Sequence, residues 1–338
     1  MTTGKPPTSH DVARLAGVSQ STVSLVFRGA ARGRVAPGTQ QAVLDAARRL
    51  GFRPNADARR LRVGGPRMVL IAVPDIVNPF FARVFTGARG AAREAGFQVV
   101  LSVQRDLASV AADVAGQRVD AVLACSLDDG GRPLDDSVPA VVLDAEPPAG
   151  MGAVRFDIAP ALTEVVDHLH RLGHRDILHL RADVDTSTFR ERAAAVDAAC
   201  AARGMRRARA AASVDRDAAR DTARAALARE RAAGHPVTAV VCDDDILAVG
   251  AYKAAQAEGL AIPGDLSVTG VDNVDLAQAL TPELTTVDLP GETLGEMGMR
   301  RLLAAVDGAD TQPTEVVRLP ARLLIRGSTA PPPRRSAG

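Results

Sequence analysis

The sequence predicts a small, basic, all-helical module followed by an α/β body of two lobes, each built on a parallel sheet. Three observations predict it: a split in charge, a change of hydrophobic period near residue 66, and two successive sets of strand-sized apolar runs separated by amphipathic helices. Residues 1–66 hold 11 Lys/Arg and 3 acids, a net of +8, whereas the other 272 residues hold 30 and 37, a net of −7. The whole-chain charge of +1 hides that asymmetry. Positive charge gathered on one small module is the footprint of a polyanion binder, because each neutralised phosphate releases condensed counterions. A solvated basic surface is the plainer reading of charge alone.

A chain of 338 residues, 46% apolar, has room for two to three domains with real cores. The start, MTTGKPPTSHDVARLAG, has no apolar h-region and so reads as no secretory signal. The longest apolar runs, such as 68–73, are strand-sized and fall short of the roughly 20 residues that a span needs, so no membrane partner is expected. Cys125, Cys200 and Cys242 are odd in number and widely spaced, with no CxxC. That pattern predicts reduced, buried thiols in a cytoplasmic protein, with neither disulfide, metal nor cofactor.

In order along the chain, DVARLAGVSQSTVSLVFRG reads as two short helices broken at Gly17, which can take the left-handed conformation that ends a helix. Val12, Ala13 and Leu15 offer the first an apolar face. Ser19 stands where an N-cap belongs, and Val23, Val26 and Phe27 then turn inward together at i, i+3 and i+4. The other face carries Gln20, Ser21, Ser24, Leu25 and Arg28. This is the pattern of a helix-turn-helix, whose second helix enters a major groove. A third helix is predicted at 39–50, with Val43, Leu44, Ala47 and Leu50 at helical spacing. Pro54-Asn55 stops it before a short arginine-rich segment, ADARRLR, and the breaker Gly64-Gly65-Pro66.

Beyond that linker, strands are predicted at MVLIAVP, FQVVLSV, VDAVLAC and VPAVVLD, with a helix at 80–95, and then at RDILHL, VTAVVC and LSVTGV, with helices at 161–172, 191–203 and 246–258. Two such sets imply two lobes with a crevice at their strand ends, where open sheets bind ligands. The run CDDDILAVG could suggest a metal, but carboxylates ahead of a helix are more simply a cap and favourable charge at its positive end. No histidine pair is spaced to complete a metal site.

The run DVARLAGVSQSTVSLVFRG, its spacing to VAPGTQQAVLDAARRLGFRPN and the following ADARRLR resemble the DNA-binding domain and hinge of the lactose/galactose-repressor (LacI/GalR) family of bacterial transcriptional regulators. The resemblance continues through DIVNPFF, VRFD, LGHRDI and IPGDLSVTGVDN with LTPELTTV, to about Ser328. It implies a three-helix DNA-binding domain at 1–54, a hinge helix and linker at 55–66, a periplasmic-binding-protein-like core of two lobes at 67–328, and a flexible tail at 329–338. It implies base reading by Gln20, Ser21 and Leu25, and a minor-groove wedge at Leu61. Ser19, Ser24, Arg28, Asn55 and Ala58 complete the expected DNA-facing set. Leu25 stands where the family usually has Arg or Asn, and a leucine there would touch a thymine methyl. Effector contacts carry over to Phe80, Phe81, Asp157, Arg192, Asp245 and Asp272. Phe80-Phe81 is an adjacent pair among only nine aromatics, so one ring is expected to be left for stacking on a ligand.

The function expected is a sequence-specific DNA-binding regulator, a repressor, that binds a pseudo-palindromic operator as a homodimer under the control of a small effector, a sugar or related metabolite. A free-standing periplasmic-type solute-binding protein shares the two-lobe core but not the basic helix-turn-helix. An enzyme is not expected, since neither GxxxxGK[ST] nor GxSxG occurs. The dimer is expected from helical faces such as 81–92 and the helix after Leu276, because the tail TAPPPRRSAG cannot form a coiled coil. Effector identity, the sign of its action and the operator sequence are not legible.

Overall fold

A computed structural model of the chain describes residues 8–27, 31, 34–50, 67–116, 119–127, 138–308 and 314–333. The N-terminal module has three helices, α1 (Ser9–Ala16), α2 (Gln20–Phe27) and α3 (Pro37–Leu50). Thr8 and Asp11 form a reciprocal capping box at the head of α1, and Gly17 closes it at φ 66°. Val12, Ala13, Val23, Val43, Ala46 and Ala47 are the buried centre, with Val26, Phe27 and Leu50 packed on its rim. Leu15 and Leu44, expected inside, are 48% and 38% exposed. The inward stripe of α3 runs through Val43, Ala46, Ala47 and Leu50, which leaves Leu44 one residue, about 100°, off it.

The first lobe comprises β1 (Arg67–Val73), α4 (Pro79–Glu94), β2 (Phe97–Val103), α5 (Leu107–Gly116), β3 (Ala121–Cys125), β4 (Ala140–Leu143) and β5 (Gly152–Asp157). The second comprises α6 (Ile158–Leu172), β6 (Asp176–Ala182), α7 (Ser187–Ala202), β7 (Arg206–Ala212), α8 (Arg216–Ala232), β8 (Ala239–Cys242), α9 (Asp245–Ala257), β9 (Ser267–Asp272), α10 (Asp275–Ala279) and β10 (Thr285–Asp288). The chain returns to the first lobe with α11 (Gly291–Val306) and β11 (Val316–Pro320), and ends in the second with β12 (Arg322–Leu324). The sheets run β11-β5-β4-β3-β1-β2 and β12-β10-β9-β8-β6-β7, parallel throughout except for the antiparallel pair β10–β12. The chain therefore passes between lobes three times, and the lobes meet where the first sheet's strands end. One connected apolar core holds residues of both, Val69, Ile71 and Phe81 from the first and Ile177, Val241 and Val271 from the second.

Two glycines set a close approach between helices. A Cβ at Gly87 would lie 1.9 Å from the Glu292 carbonyl oxygen, and one at Gly295 would lie 2.0 Å from that of Val84. Helices α4 and α11 thus touch backbone to backbone, which ties the returning chain to the first lobe.

The tail corrects an expectation. Residues 329–333 are held against the second lobe rather than loose: the Thr329 hydroxyl meets His168 Nε2 at 2.8 Å, and the Ala330 carbonyl accepts from His174 Nε2 at 2.9 Å and from Ser267 Oγ at 3.2 Å. The prolines that exclude a helix suit this extended strap, and Pro332 packs near Gly173. Residues 334–338 lie outside the described residues.

Candidate DNA-binding face and interlobe site

The leading end of α2 is built as the sequence predicts. Ser19 Oγ accepts from the Thr22 amide at 3.2 Å and lies 2.7 Å from Ser21 Oγ. Gln20 and Ser21 are exposed, while Ser24 and Leu25 are half-buried beside them. Gln20 Nε2 donates to Ser9 Oγ at 2.8 Å, a link from α1 that sequence reasoning missed. Arg28, Asn55, Ala58 and Leu61, with the rest of the hinge, lie outside the described residues.

Between the lobes, Arg192 on α7 is 3% exposed, and its guanidinium donates to the Asp243 carbonyl and, at 3.4 Å, to the Asp272 carboxylate. It also lies over the Phe189 ring at 5.1 Å. Asp272 ends β9 at φ 108° and hydrogen-bonds the Asp244 carboxyl. Burial raises both carboxyls, and at Asp272 the neighbouring Asp244 charge adds to the rise while Arg192 opposes it. From the first lobe comes Asp144, at the end of β4, with φ 47° and Ser126 Oγ donating to it at 3.1 Å. Burial pushes Asp144 up to about 6 against the pull of Arg192. One buried guanidinium thus sits among carboxylates of both lobes. Asp144 is a site residue that the sequence reading missed, although it ends a strand of an open sheet, where ligand groups are expected.

The three aspartates after β8 divide three tasks. Asp243 accepts from His179 Nε2 at 2.7 Å and from the Ala182 amide at 3.1 Å, which fixes the carbonyl that Arg192 uses. Asp244 caps α9 and accepts from Asn78 of the first lobe at 3.1 Å. Asp245, expected at the ligand, turns away into the second lobe, where it accepts from Thr286 Oγ1 at 2.7 Å and the Val274 amide at 3.0 Å. As the first residue of α9 it is carried off the cleft side, and burial pushes it up to about 7. Among the described residues no cluster of His, Cys, Asp and Glu could hold a metal.

The phenylalanine pair corrects a second expectation. Phe80 and Phe81 are 3% and 9% exposed, edge to face at 5.4 Å, and Phe80 also meets Phe156 at 6.2 Å. Neither ring is left over, because α4 packs on its sheet side by side with α11, so successive residues of its first turn both find cover; the Phe80 ring would lie 3.5 Å from a Cβ at Gly291. Asp157 is exposed, at the N-cap position of α6 with no side-chain cap bond, where the chain first crosses between lobes.

Further bonds join the lobes. Arg83 donates to the carbonyls of Asp272 and Asn273, at 3.3 and 3.0 Å, and Thr188 Oγ1 to that of Asp144. The Glu146 amide donates to Ser187 Oγ at 2.8 Å, and Arg155 holds Glu191 at 2.6 Å. Beside these bonds lies a crevice of about 400 Å³, walled by Leu127, Glu146, Arg155 and Arg318 of the first lobe and Ser187, Arg190 and Glu191 of the second.

Comparison with known proteins gives this architecture its relatives. Residues 8–55 match the family described as bacterial regulatory proteins, lacI family, and residues 166–329 match the periplasmic binding protein-like domain. The chain is 30% identical to catabolite control protein A of Priestia megaterium, covering 95% of this chain and 99% of that one. It belongs to the lacI family of bacterial regulatory proteins. As a member it is a DNA-binding transcriptional regulator, with the helix-turn-helix and two-lobe fold of the family. Solved structures agree: a transcriptional regulator CelR–cellobiose complex superposes with a TM-score of 0.69 at 29% identity, over 95% of this chain and 99% of that chain. A lac repressor dimer bound to operator and the anti-inducer ONPF gives 0.70 at 25%, over 96% and 100%. No described helix of this lacI-family chain is long and apolar enough to cross a membrane.

Proposed function

We propose that the protein is a repressor that binds a pseudo-palindromic operator as a homodimer, and that a small effector, a sugar or related metabolite, sets its affinity from between the lobes. The observation that carries this reading is Arg192 of the second lobe buried beside Asp272 and Asp144, one carboxylate from each lobe. A planar fork among carboxylates suits the hydroxyl pairs of a polyol. A ligand there would exchange interlobe bonds for its own and favour one lobe arrangement. In the dimer that arrangement sets the spacing of two hinges, and so whether Leu61 and its symmetry mate can meet in the minor groove. The match of 8–55 to a helix-turn-helix speaks against a free-standing solute-binding protein.

The dimer is proposed to use the free edge of the first sheet. Helix α4, expected to supply it, has its apolar face occupied by α11 and the sheet. Exposed apolar side chains remain on edge strand β2, at Leu101 and Val103, and just past its neighbour β1, at Ile76 and Val77. Val103 pairs in register with Val73, which places these residues at one corner of the sheet. Selection of duplexes from a random pool by the full-length protein tests the reading. Recovery of a two-fold symmetric site supports it, and recovery of no consensus rejects it.

A further inference from the structure

The crevice beside Glu191 has a character of its own. Its walls carry three guanidiniums, Arg155, Arg190 and Arg318, against two carboxylates, Glu146 and Glu191. Arg155 is only 6% exposed and takes both carboxylates, Glu146 on one side and Glu191 at 2.6 Å on the other. The other two are under-matched within the crevice. Arg318 has its nearest carboxylate, Glu191, at 3.9 Å, and Arg190 pairs outward with Asp185, whose side chain is 88% exposed. The N-terminus of the 16-residue α7 opens on the same space through Ser187. That helix has no acidic residue in its first turn and no side-chain cap, and Thr186 Oγ1 at its head is buried without a partner. Its positive end is therefore uncompensated. All of this lies in a body of net charge −7, which repels anions elsewhere.

We propose that this crevice receives an anionic group of the effector, a phosphate or a carboxylate, which replaces Glu191 on Arg155 and Arg318. The proposal rests on the effector reading above and names the effector's chemical class. Glu191 is the protein's own stand-in for the ligand: a carboxylate from the second lobe set between two arginines of the first. An anion in its place would meet Arg155 and Arg318 on one wall, and Arg190, the Ser187 hydroxyl and the α7 amides on the other. Its uncharged part would reach toward Arg192, the residue next to Glu191.

The test uses full-length protein and measures thermal stabilisation at matched ionic strength by inorganic phosphate, glucose 6-phosphate, gluconate, glucose and glucosamine. Saturable stabilisation by the anions and none by glucose or glucosamine is expected, and the ranking of phosphate against carboxylate identifies the group. The half-exposed pair Arg190→Ala/Arg318→Ala should fold and lose about tenfold or more in anion affinity. That variant also separates the crevice from the basic DNA-binding module. No saturable anion effect in the wild type, or an undiminished one in the variant, overturns the proposal. Operator binding followed in parallel separates the two readings: relief by glucose or glucosamine alone would keep the effector reading and reject the anionic class, whereas absence of any sequence-specific DNA binding would reject the repressor reading itself.

Discussion

Arg192 is the residue on which the interlobe site turns, and its burial makes it costly to remove. Arg192→Ala leaves Asp272 and Asp144 without their cation, and breaking a buried pair of this kind costs about 3–5 kcal/mol. The sign of the pH dependence follows from the carboxyls. Asp144 at about 6 takes up a proton more readily than in the unfolded chain, so its contribution to stability is full below about pH 4 and is lost as pH rises through about 6, and Asp272, raised well above its ordinary value, acts in the same direction. Without Arg192 that loss steepens. Urea denaturation should therefore show a larger penalty for Arg192→Ala at pH 7 than at pH 5, and an equal penalty at both would contradict the electrostatic account. The residue scale is also where the sequence was least legible. The family resemblance offers Arg192, Asp272 and Asp157 as effector contacts, but Asp144 lies outside any motif that was matched. The division of labour among Asp243, Asp244 and Asp245 depends on which way a helix's first turn faces, and adjacent letters do not record that.

Among elements, the α4–α11 contact makes the sharpest prediction. Gly295→Ala places a methyl carbon against a backbone carbonyl and should cost about 1–3 kcal/mol or more. Gly90→Ala on α4 meets nothing within 4 Å and should be neutral or stabilise by up to about 1 kcal/mol through helix propensity. Equal effects of the two would mean that the helices are not in backbone contact. The C-terminal strap makes another. Deleting residues 329–338 removes the bonds to His168, His174 and Ser267, each worth about 1 kcal/mol net, and should lower the melting temperature without changing the oligomeric state. Burial lowers the pKa of both histidines, against the Ala330 carbonyl at His174, so their contribution is present above about pH 6.5 and is lost as pH falls below it. Strands β1–β4, β6, β8 and β9 were legible because each is a strand-sized apolar run, whereas β7, RRARAAA, carries no such run and was not read, nor were α5, α8 and α11. The strap was not, because a proline-rich basic end reads as loose unless its carbonyls are known to meet two buried histidines. The fate of Phe80 and Phe81 was hidden for a similar reason. Their cover comes from α11, more than 200 residues later.

For the whole molecule, assembly and DNA binding are the testable properties. Val103→Asp, exposed at the edge of the first sheet, should leave each lobe folded and shift the protein toward monomer in light scattering. An unchanged dimer would move the interface elsewhere. The charge split carries the central claim, that the basic N-terminal module binds an operator and the acidic body regulates it. The most direct measurement is the salt dependence of full-length protein binding to its selected two-fold duplex. If a dimer makes about 8 to 10 phosphate contacts, log K should fall with log salt at a slope of roughly −7 to −9, and Gln20→Ala should relax the choice at one base position per half-site while leaving the slope alone. A slope near zero would contradict the account.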